Sequence, residues 1–180
     1  MKVAHIAFQY GLSNTGGAAI AATRLHRALL LHGVESHYIC VHQRDLGTNV
    51  HELPGGWRRM VFLILTKFTR CIWKFTPYRR SICLYIVPLF SLEKLLAQIK
   101  PDFVHVQWIN ADVCSFEQLM RLPYKMVFNL HDLYLLTQAN STWLERWLAH
   151  RKERLVRKKA NAFIGPSEWV CKMANQSMIG

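Results

Sequence analysis

The chain has 180 residues, of which 51% are apolar, and a formal net charge of +12. That length suits one well-packed domain and is short for two, and the apolar content argues against intrinsic disorder. The excess of 23 lysines and arginines over 11 acidic residues favours an anionic partner: nucleic acid, an acidic membrane surface or a phosphorylated substrate.

Five cysteines are spread along the chain without the C-x-x-C spacing of a zinc site or a thioredoxin-like redox motif. We interpret them as buried free thiols in a reducing cytoplasm. The N-terminal apolar run reaches polar Gln9 too soon for a signal peptide, and the stretches Met60–Leu65 and Ile82–Phe90 are too short to span a bilayer. We therefore expect a cytoplasmic protein, with peripheral contact to the inner face of the plasma membrane.

The chain opens with a strand–helix–strand pattern. Val3–Phe8 has the composition of a buried parallel strand, the small-residue loop Gly11–Gly17 follows, and a helix begins at about Ala18. Gly33 stands where a helix C-terminus favours a left-handed residue, and Val34–Val41 is predicted to be the second strand. The helical spacing places on one apolar face the residues Ala21, Leu25, Ala28 and Leu29.

Strands and helices continue to alternate after this first unit. The predicted elements are a helix from its N-cap Ser91 to Ile99, the strand Phe103–Trp108, the helix Phe116–Arg121, the strand Tyr124–Leu130, the basic helix Ser141–Lys159, the strand Ala162–Gly165 and a helix from Pro166. This alternation predicts an α/β fold with a Rossmann-like, doubly wound parallel sheet. Ligands of such sheets bind beyond the carboxyl ends of the strands.

The glycine pair Gly16-Gly17 lies in the first loop at that edge. Glycines at a helix start leave backbone N–H groups open to a phosphate or a sugar hydroxyl, next to the positive end of the helix dipole. A plain flexible turn that lets helix and strand pack explains the pair equally well. The loop is not G-x-G-x-x-G, and no acidic residue sits suitably at the end of the second predicted strand, so a dinucleotide site is disfavoured.

Two further polar clusters are expected at the same edge, Trp108–Asp112 and His131-Asp132. In the second, His131 can hydrogen-bond a substrate hydroxyl, while Asp132 can fix the imidazole tautomer or bind a sugar. The alternative is that His131 only satisfies loop backbone. His5 and His105 lie inside predicted strands and are assigned to the core.

Two basic segments allow alternative interpretations. Trp57–Arg80 mixes tryptophan, apolar and basic residues, which is typical of a helix lying on an anionic membrane, although a solvated helix with a buried apolar face fits as well. The dense run Arg146–Lys159 is interpreted as a solvated helix face. Neither segment contains a recognised nucleic-acid-binding motif, so nucleic acid is not expected as a partner.

Several segments together have a familiar order and spacing: Gly16–Ala19 leading into Ala22–Leu29, then His32–Ser36, Pro101–Asn110, Asn129–Asp132 and Ile164–Trp169. In these segments the sequence resembles the N-terminal domain of family-4 retaining glycosyltransferases, which have the two-domain GT-B fold and build bacterial capsule, colanic-acid-like and O-antigen polysaccharides. The resemblance covers most of the chain, with Leu46–Phe90 the least diagnostic part.

This resemblance implies that residues 1–180 form a single N-terminal, acceptor-side Rossmann-like domain, the C-terminal donor-binding domain being absent from the sequence. It implies transfer of a hexosyl group from a nucleotide-sugar donor to a glycan or lipid-linked acceptor. It also implies that this chain is inactive alone and needs the missing C-terminal domain or a partner chain that supplies it. The catalytic centre is assigned to His131 and Asp132, and the contacts to donor phosphate and acceptor to Gly16, Gly17 and Asn110. No cofactor and no metal are expected.

The chain also departs from that family pattern. Relatives often carry a second histidine where this chain has Gln107, and Leu133–Thr137 stands where a Trp-Pro pair and a cysteine-containing insertion are common. These departures from the family pattern predict an acceptor pocket that is unusual or incomplete. The alternative function is a non-catalytic binding domain that docks on an anionic membrane or a partner through its basic face.

Overall fold

Six parallel strands form one sheet in the order β3-β2-β1-β4-β5-β6 in the computed structural model of the chain. The strands are β1 (Lys2–Tyr10), β2 (Glu35–Gln43), β3 (Val50–Glu52), β4 (Phe103–Val106), β5 (Lys125–Asn129) and β6 (Ala160–Ile164). The described residues form the helices α1 (Gly17–Leu31), α2 (Leu92–Ile99), α3 (Phe116–Arg121) and α4 (Glu168–Gln176), and further helical residues lie between 57 and 67 and at 153–159. The structure describes residues 1–53, 56–58, 60–61, 63–65, 67, 92–107, 113–114, 116–131, 150 and 153–176.

The predicted α/β fold with a Rossmann-like parallel sheet is confirmed, and most predicted elements agree with the observed ones to within two residues. The short edge strand β3 was not predicted, because three half-buried residues are too few to show an alternating pattern. The predicted N-cap Ser91 and the end of the predicted strand at Trp108 lie outside the described residues.

Helix α1 ends as its sequence predicts. Gly33 has φ 73°, in the left-handed region, and its N–H donates to the carbonyl of Leu30 at 3.1 Å. The next N–H, from Val34, donates to the carbonyl of Leu29 at 2.9 Å. This pair of bonds is the Schellman motif, which stops the helix and directs the chain into β2.

The predicted apolar face of α1 is wrong. The helix buries Ala22, Thr23 and His26, whereas Ala21 and Ala28 are exposed. The reason is the surface that α1 covers: the imidazole of His26 contacts the Ser36 hydroxyl at 2.7 Å, so part of the buried helix face is polar. Hydrophobic spacing cannot detect a helix face that is buried through hydrogen bonds.

The two sides of the sheet differ in polarity. The main apolar core contains Ile6, Leu96, Val104 and Phe128, all with at most 1% of their surface exposed. Tyr10 and Tyr38 belong to a smaller cluster that packs with Ala22 of α1. Buried polar side chains lie on this second side: His5, His26, Ser36, His105 and Gln107. The expectation that His5 and His105 are core residues is therefore confirmed.

Residues 153–159 form the described part of the predicted basic helix. Arg154, Arg157 and Lys158 are exposed, whereas Glu153 and Val156 are buried. In this part the basic side chains form a solvated face, as predicted. Lys159, at the carboxyl end of this helix, is also described and is half-buried. The other basic residues of the run lie outside the described residues.

The cysteine interpretation holds only in part. Cys40 and Cys114 are buried free thiols, but Cys171 is exposed because it lies on the outer side of α4. Cys71 and Cys83 lie outside the described residues. Exposed Cys171 is thus the one correction that the described cysteines require.

Candidate functional site

The strand order places a topological switch point between β1 and β4. From β1 the chain proceeds outward through β2 and β3, whereas β4, β5 and β6 extend to the other side. Connections diverge at this point, which opens a crevice beyond the carboxyl ends of the strands. The glycine loop follows β1, Gln107 follows β4 and His131 follows β5, so all three lie at the same edge of the sheet.

The beginning of the glycine loop is fixed by side chains from outside it. The N–H of Gly11 donates to Oγ1 of Thr23 at 3.0 Å, and the N–H of Leu12 donates to Oδ2 of Asp45 at 2.7 Å. Arg27 lies 3.7 Å from the same carboxylate oxygen. The loop is therefore anchored to both α1 and the segment after β2.

Asp45 is a residue that the sequence analysis missed. It lies two residues beyond the end of β2, but four beyond the predicted end of that strand, so no acidic residue was expected there. The carboxylate accepts a loop hydrogen bond and faces Arg27, which gives it a positioning role for the loop. If the predicted strand had ended at Gln43, as β2 does, Asp45 would have been recognised as an acidic residue close to the end of the strand.

The end of the loop is open at Gly16-Gly17. Gly16 is the N-cap of α1, with φ −73° and ψ 160°. It makes no side-chain capping hydrogen bond, and the first turn of the helix contains no acidic residue. A Cβ built on either glycine meets no atom within 4 Å, and both residues are exposed. Because neither backbone conformation nor packing requires glycine here, the explanation as a packing turn is weakened.

His131 is held by a side chain from the neighbouring strand. It is half-buried, and its Nε2 lies 2.8 Å from Oε1 of Gln107. The same oxygen accepts a hydrogen bond from Nδ2 of Asn129 at 3.0 Å. Gln107 itself is fully buried, and its backbone N–H donates to the carbonyl of Ile6 at 2.9 Å. The imidazole thus lies at the carboxyl edge with one ring nitrogen directed at Gln107.

Buried histidines lie behind Gln107. Its Nε2 lies 3.1 Å and 3.3 Å from the two ring nitrogens of His105, and 3.5 Å from Nδ1 of His5. Burial, followed by the nearby His131, lowers the pKa of His105 to about 4. Burial, His105 and His26 together lower the pKa of His5 well below its ordinary value. Both imidazoles are therefore neutral at pH 7, and they suit contact with an amide N–H.

The remaining predicted site residues, Asn110 and Asp132, lie outside the described residues and stay predictions. So do Trp108 and Asp112 of the second polar cluster. Among the residues that the structure describes, no group of three or more histidine, cysteine or acidic side chains could hold a metal ion.

The described residues between 57 and 67 are helical and expose apolar side chains. Trp57, Met60 and Ile64 share one helix face and have 71%, 66% and 60% of their surface exposed. Arg58 lies over the Trp57 ring, 5.8 Å from its centroid. These three side chains are not buried, and most of the segment Trp57–Arg80 lies outside the described residues. No helix in the described part of the chain is long and apolar enough to cross a membrane.

Residues 15–177 match the family model described as Glycosyltransferase Family 4. The match begins after β1 and includes Gly16-Gly17, Gln107 and His131. No curated protein matches the chain.

Proposed function

The chain belongs to glycosyltransferase family 4 and so carries a glycosyl-transfer domain, and from this premise we propose that it is the acceptor-side half of a retaining GT-B enzyme. The proposed reaction moves a hexosyl group from a nucleotide sugar to a glycan or lipid-linked acceptor in bacterial surface polysaccharide synthesis. In this proposal a donor-binding domain outside residues 1–180 holds most of the nucleotide, so the 180-residue chain alone does not turn over.

The observation that carries this proposal is the open start of α1 at the switch point. The N-cap makes no side-chain hydrogen bond, and a Cβ at Gly16 or Gly17 would have no packing neighbour within 4 Å. An anionic diphosphate that leaves the donor sugar would accept hydrogen bonds from these amides and interact favourably with the helix dipole. Such contacts gain strength as charge develops on the leaving group, which is how they lower the barrier.

His131 lies at the same edge, beyond β5. In the proposed enzyme it lines the acceptor side of the catalytic centre and hydrogen-bonds a sugar hydroxyl, with Asp132 and Asn110 as further contacts. The anchoring of the loop by Thr23 and Asp45 supports this arrangement, because amides hold a transition state well only if they are already in position.

Substitution Gly17→Ala tests the assignment of the glycine pair. The methyl group enters open space at the first turn of a helix, so the free energy of unfolding should stay equal or rise by about 0.4–1 kcal/mol. The same methyl group would displace the donor phosphate, so kcat/KM should fall roughly 10²-fold in an active preparation that contains this domain. Thermal unfolding and steady-state kinetics measure the two effects.

The matched control is Gly33→Ala, at the other end of the same helix. Its φ of 73° makes the substitution cost about 1–2 kcal/mol of stability, while kcat/KM of the folded enzyme should stay unchanged. If Gly17→Ala loses stability as Gly33→Ala does, or transfers sugar as well as the wild type, the glycine pair is not the donor site.

The exposed apolar face at Trp57, Met60 and Ile64 supports the second candidate function, docking on an anionic membrane. Aromatic and aliphatic side chains of such a face would enter the lipid interface while Arg58 and Lys67 contact anionic head groups. This function is compatible with the first, since a lipid-linked acceptor is presented at a membrane surface.

Substitution Arg58→Glu should weaken co-sedimentation with phosphatidylglycerol-containing vesicles roughly 30-fold, because it removes one attraction and adds one repulsion of about 1 kcal/mol each. Arg154→Glu is the control, since it makes the same charge change on the solvated helix of residues 153–159. Equal losses in both variants would show that only the net charge matters. Salt-sensitive binding to oligonucleotides in place of vesicles would favour the nucleic-acid interpretation instead.

A further inference from the structure

Gln107 connects the candidate catalytic histidine to the buried polar side of the sheet. It follows β4 directly, its side chain is fully buried, and its two polar ends face different groups. The carbonyl end, Oε1, lies within hydrogen-bond distance of His131 and Asn129. The amide end, Nε2, lies against His105 and His5.

The amide end fixes the orientation of the carboxamide. Nε2 is nearly equidistant from the two ring nitrogens of His105, at 3.1 Å and 3.3 Å, which places it against the ring rather than opposite one nitrogen. A neutral imidazole attracts an N–H in that position, and His105 is neutral because burial lowers its pKa to about 4. The reverse orientation would also set the carboxamide N–H groups against the N–H groups of Asn129.

With the carboxamide oriented this way, its oxygen is the acceptor in both of these contacts, because a carbonyl oxygen has no proton to donate. One hydrogen bond comes from Nδ2 of Asn129, so the second, at 2.8 Å, must come from an N–H of His131. In the neutral form of His131 the proton therefore lies on Nε2.

We propose that Gln107 is the positioning residue of His131: its carbonyl oxygen holds the imidazole in the Nε2–H tautomer and fixes the ring at the carboxyl edge of the sheet. The tautomer assignment rests on the contacts of Gln107 and on the neutrality of His105, while the role of His131 in sugar transfer rests on the proposed function. The carboxamide offers a fixed oxygen at one end and a fixed N–H group at the other. The carboxamide can therefore serve His131 and the buried histidines at once.

The test is NMR of the 180-residue chain labelled with ¹⁵N-histidine, with the His131 signals assigned by their loss in His131→Asn. The wild type should show His131 as the Nε2–H tautomer, with an Nε2–H resonance protected from solvent exchange. In Gln107→Leu that proton should exchange at least roughly tenfold faster, because its acceptor is gone. In Gln107→Glu, which keeps an oxygen acceptor, protection should persist.

Gln118→Leu is the matched control, because Gln118 is also a buried glutamine but lies on α3. It should leave the His131 resonance as in the wild type. A wild-type His131 protonated on Nδ1 overturns the proposal even if no Gln107 variant folds, and so does a resonance that stays protected in Gln107→Leu.

Transfer activity separates this inference from the proposed function. Gln107→Leu should lower kcat with little change in KM, and Gln107→Glu should restore part of it. Loss of the protected resonance with unchanged transfer would support Gln107 as the positioning residue and remove His131 from the catalytic centre.

Discussion

Replacement of His131 by alanine is expected to lower sugar transfer by roughly 10²–10⁴-fold, the range for loss of a positioned acid–base or hydrogen-bonding group. The side chain is half-buried at the carboxyl edge of the sheet, in the family-matched part of the chain. Its loss removes the hydrogen bond to Gln107, while Asn129 still satisfies the same oxygen. The free energy of unfolding should therefore fall by only about 0.5–1.5 kcal/mol.

The matched control is His51→Ala. This half-buried histidine lies on β3, at the opposite edge of the sheet from β5 and β6, and it contacts His37. Its substitution should leave kcat and KM unchanged. Equal activity of His131→Ala and wild type, or a loss of activity that only follows a loss of folded protein in thermal unfolding, would remove His131 from the site.

Acidification from pH 7 to pH 4 is expected to destabilise the fold by at least about 3 kcal/mol. Burial lowers the pKa of His105 from 6.5 to about 4, and the pKa values of His5, His26 and His51 are also lowered, chiefly by burial. Below pH 6.5 the unfolded chain binds protons that the folded chain does not bind. Stability is therefore fully present above pH 6.5 and is lost as the pH falls toward the folded-state values.

The size of this effect follows from His105 alone, since a difference between 6.5 and about 4 corresponds to about 3 kcal/mol. Urea unfolding between pH 7 and pH 4 measures it. His105→Gln, which cannot titrate, should reduce the loss of stability by about that amount, and His32→Gln is the matched control at an exposed position. A free energy of unfolding that stays constant over this range would show that the buried imidazoles are not kept neutral by the fold.

Local sequence patterns determined the backbone of this protein. The apolar runs predicted most strands, and Gly33 predicted both the end of α1 and a left-handed φ, because a turn conformation depends on a few neighbouring residues. The glycine pair and His131 were placed at the carboxyl edge because parallel strands must all end there. Membership of the glycosyltransferase family followed from the order of these segments.

Only the tertiary structure decided which side chains meet. Gln107 and His131 are 24 positions apart, and they come together because β4 and β5 are neighbours in a particular register. Asp45 contacts the loop from beyond β2, and α1 buries His26 rather than Ala28 because the facing sheet surface offers the Ser36 hydroxyl. Such contacts depend on strand order and on the polarity of the opposing surface. A linear pattern of apolar residues records neither.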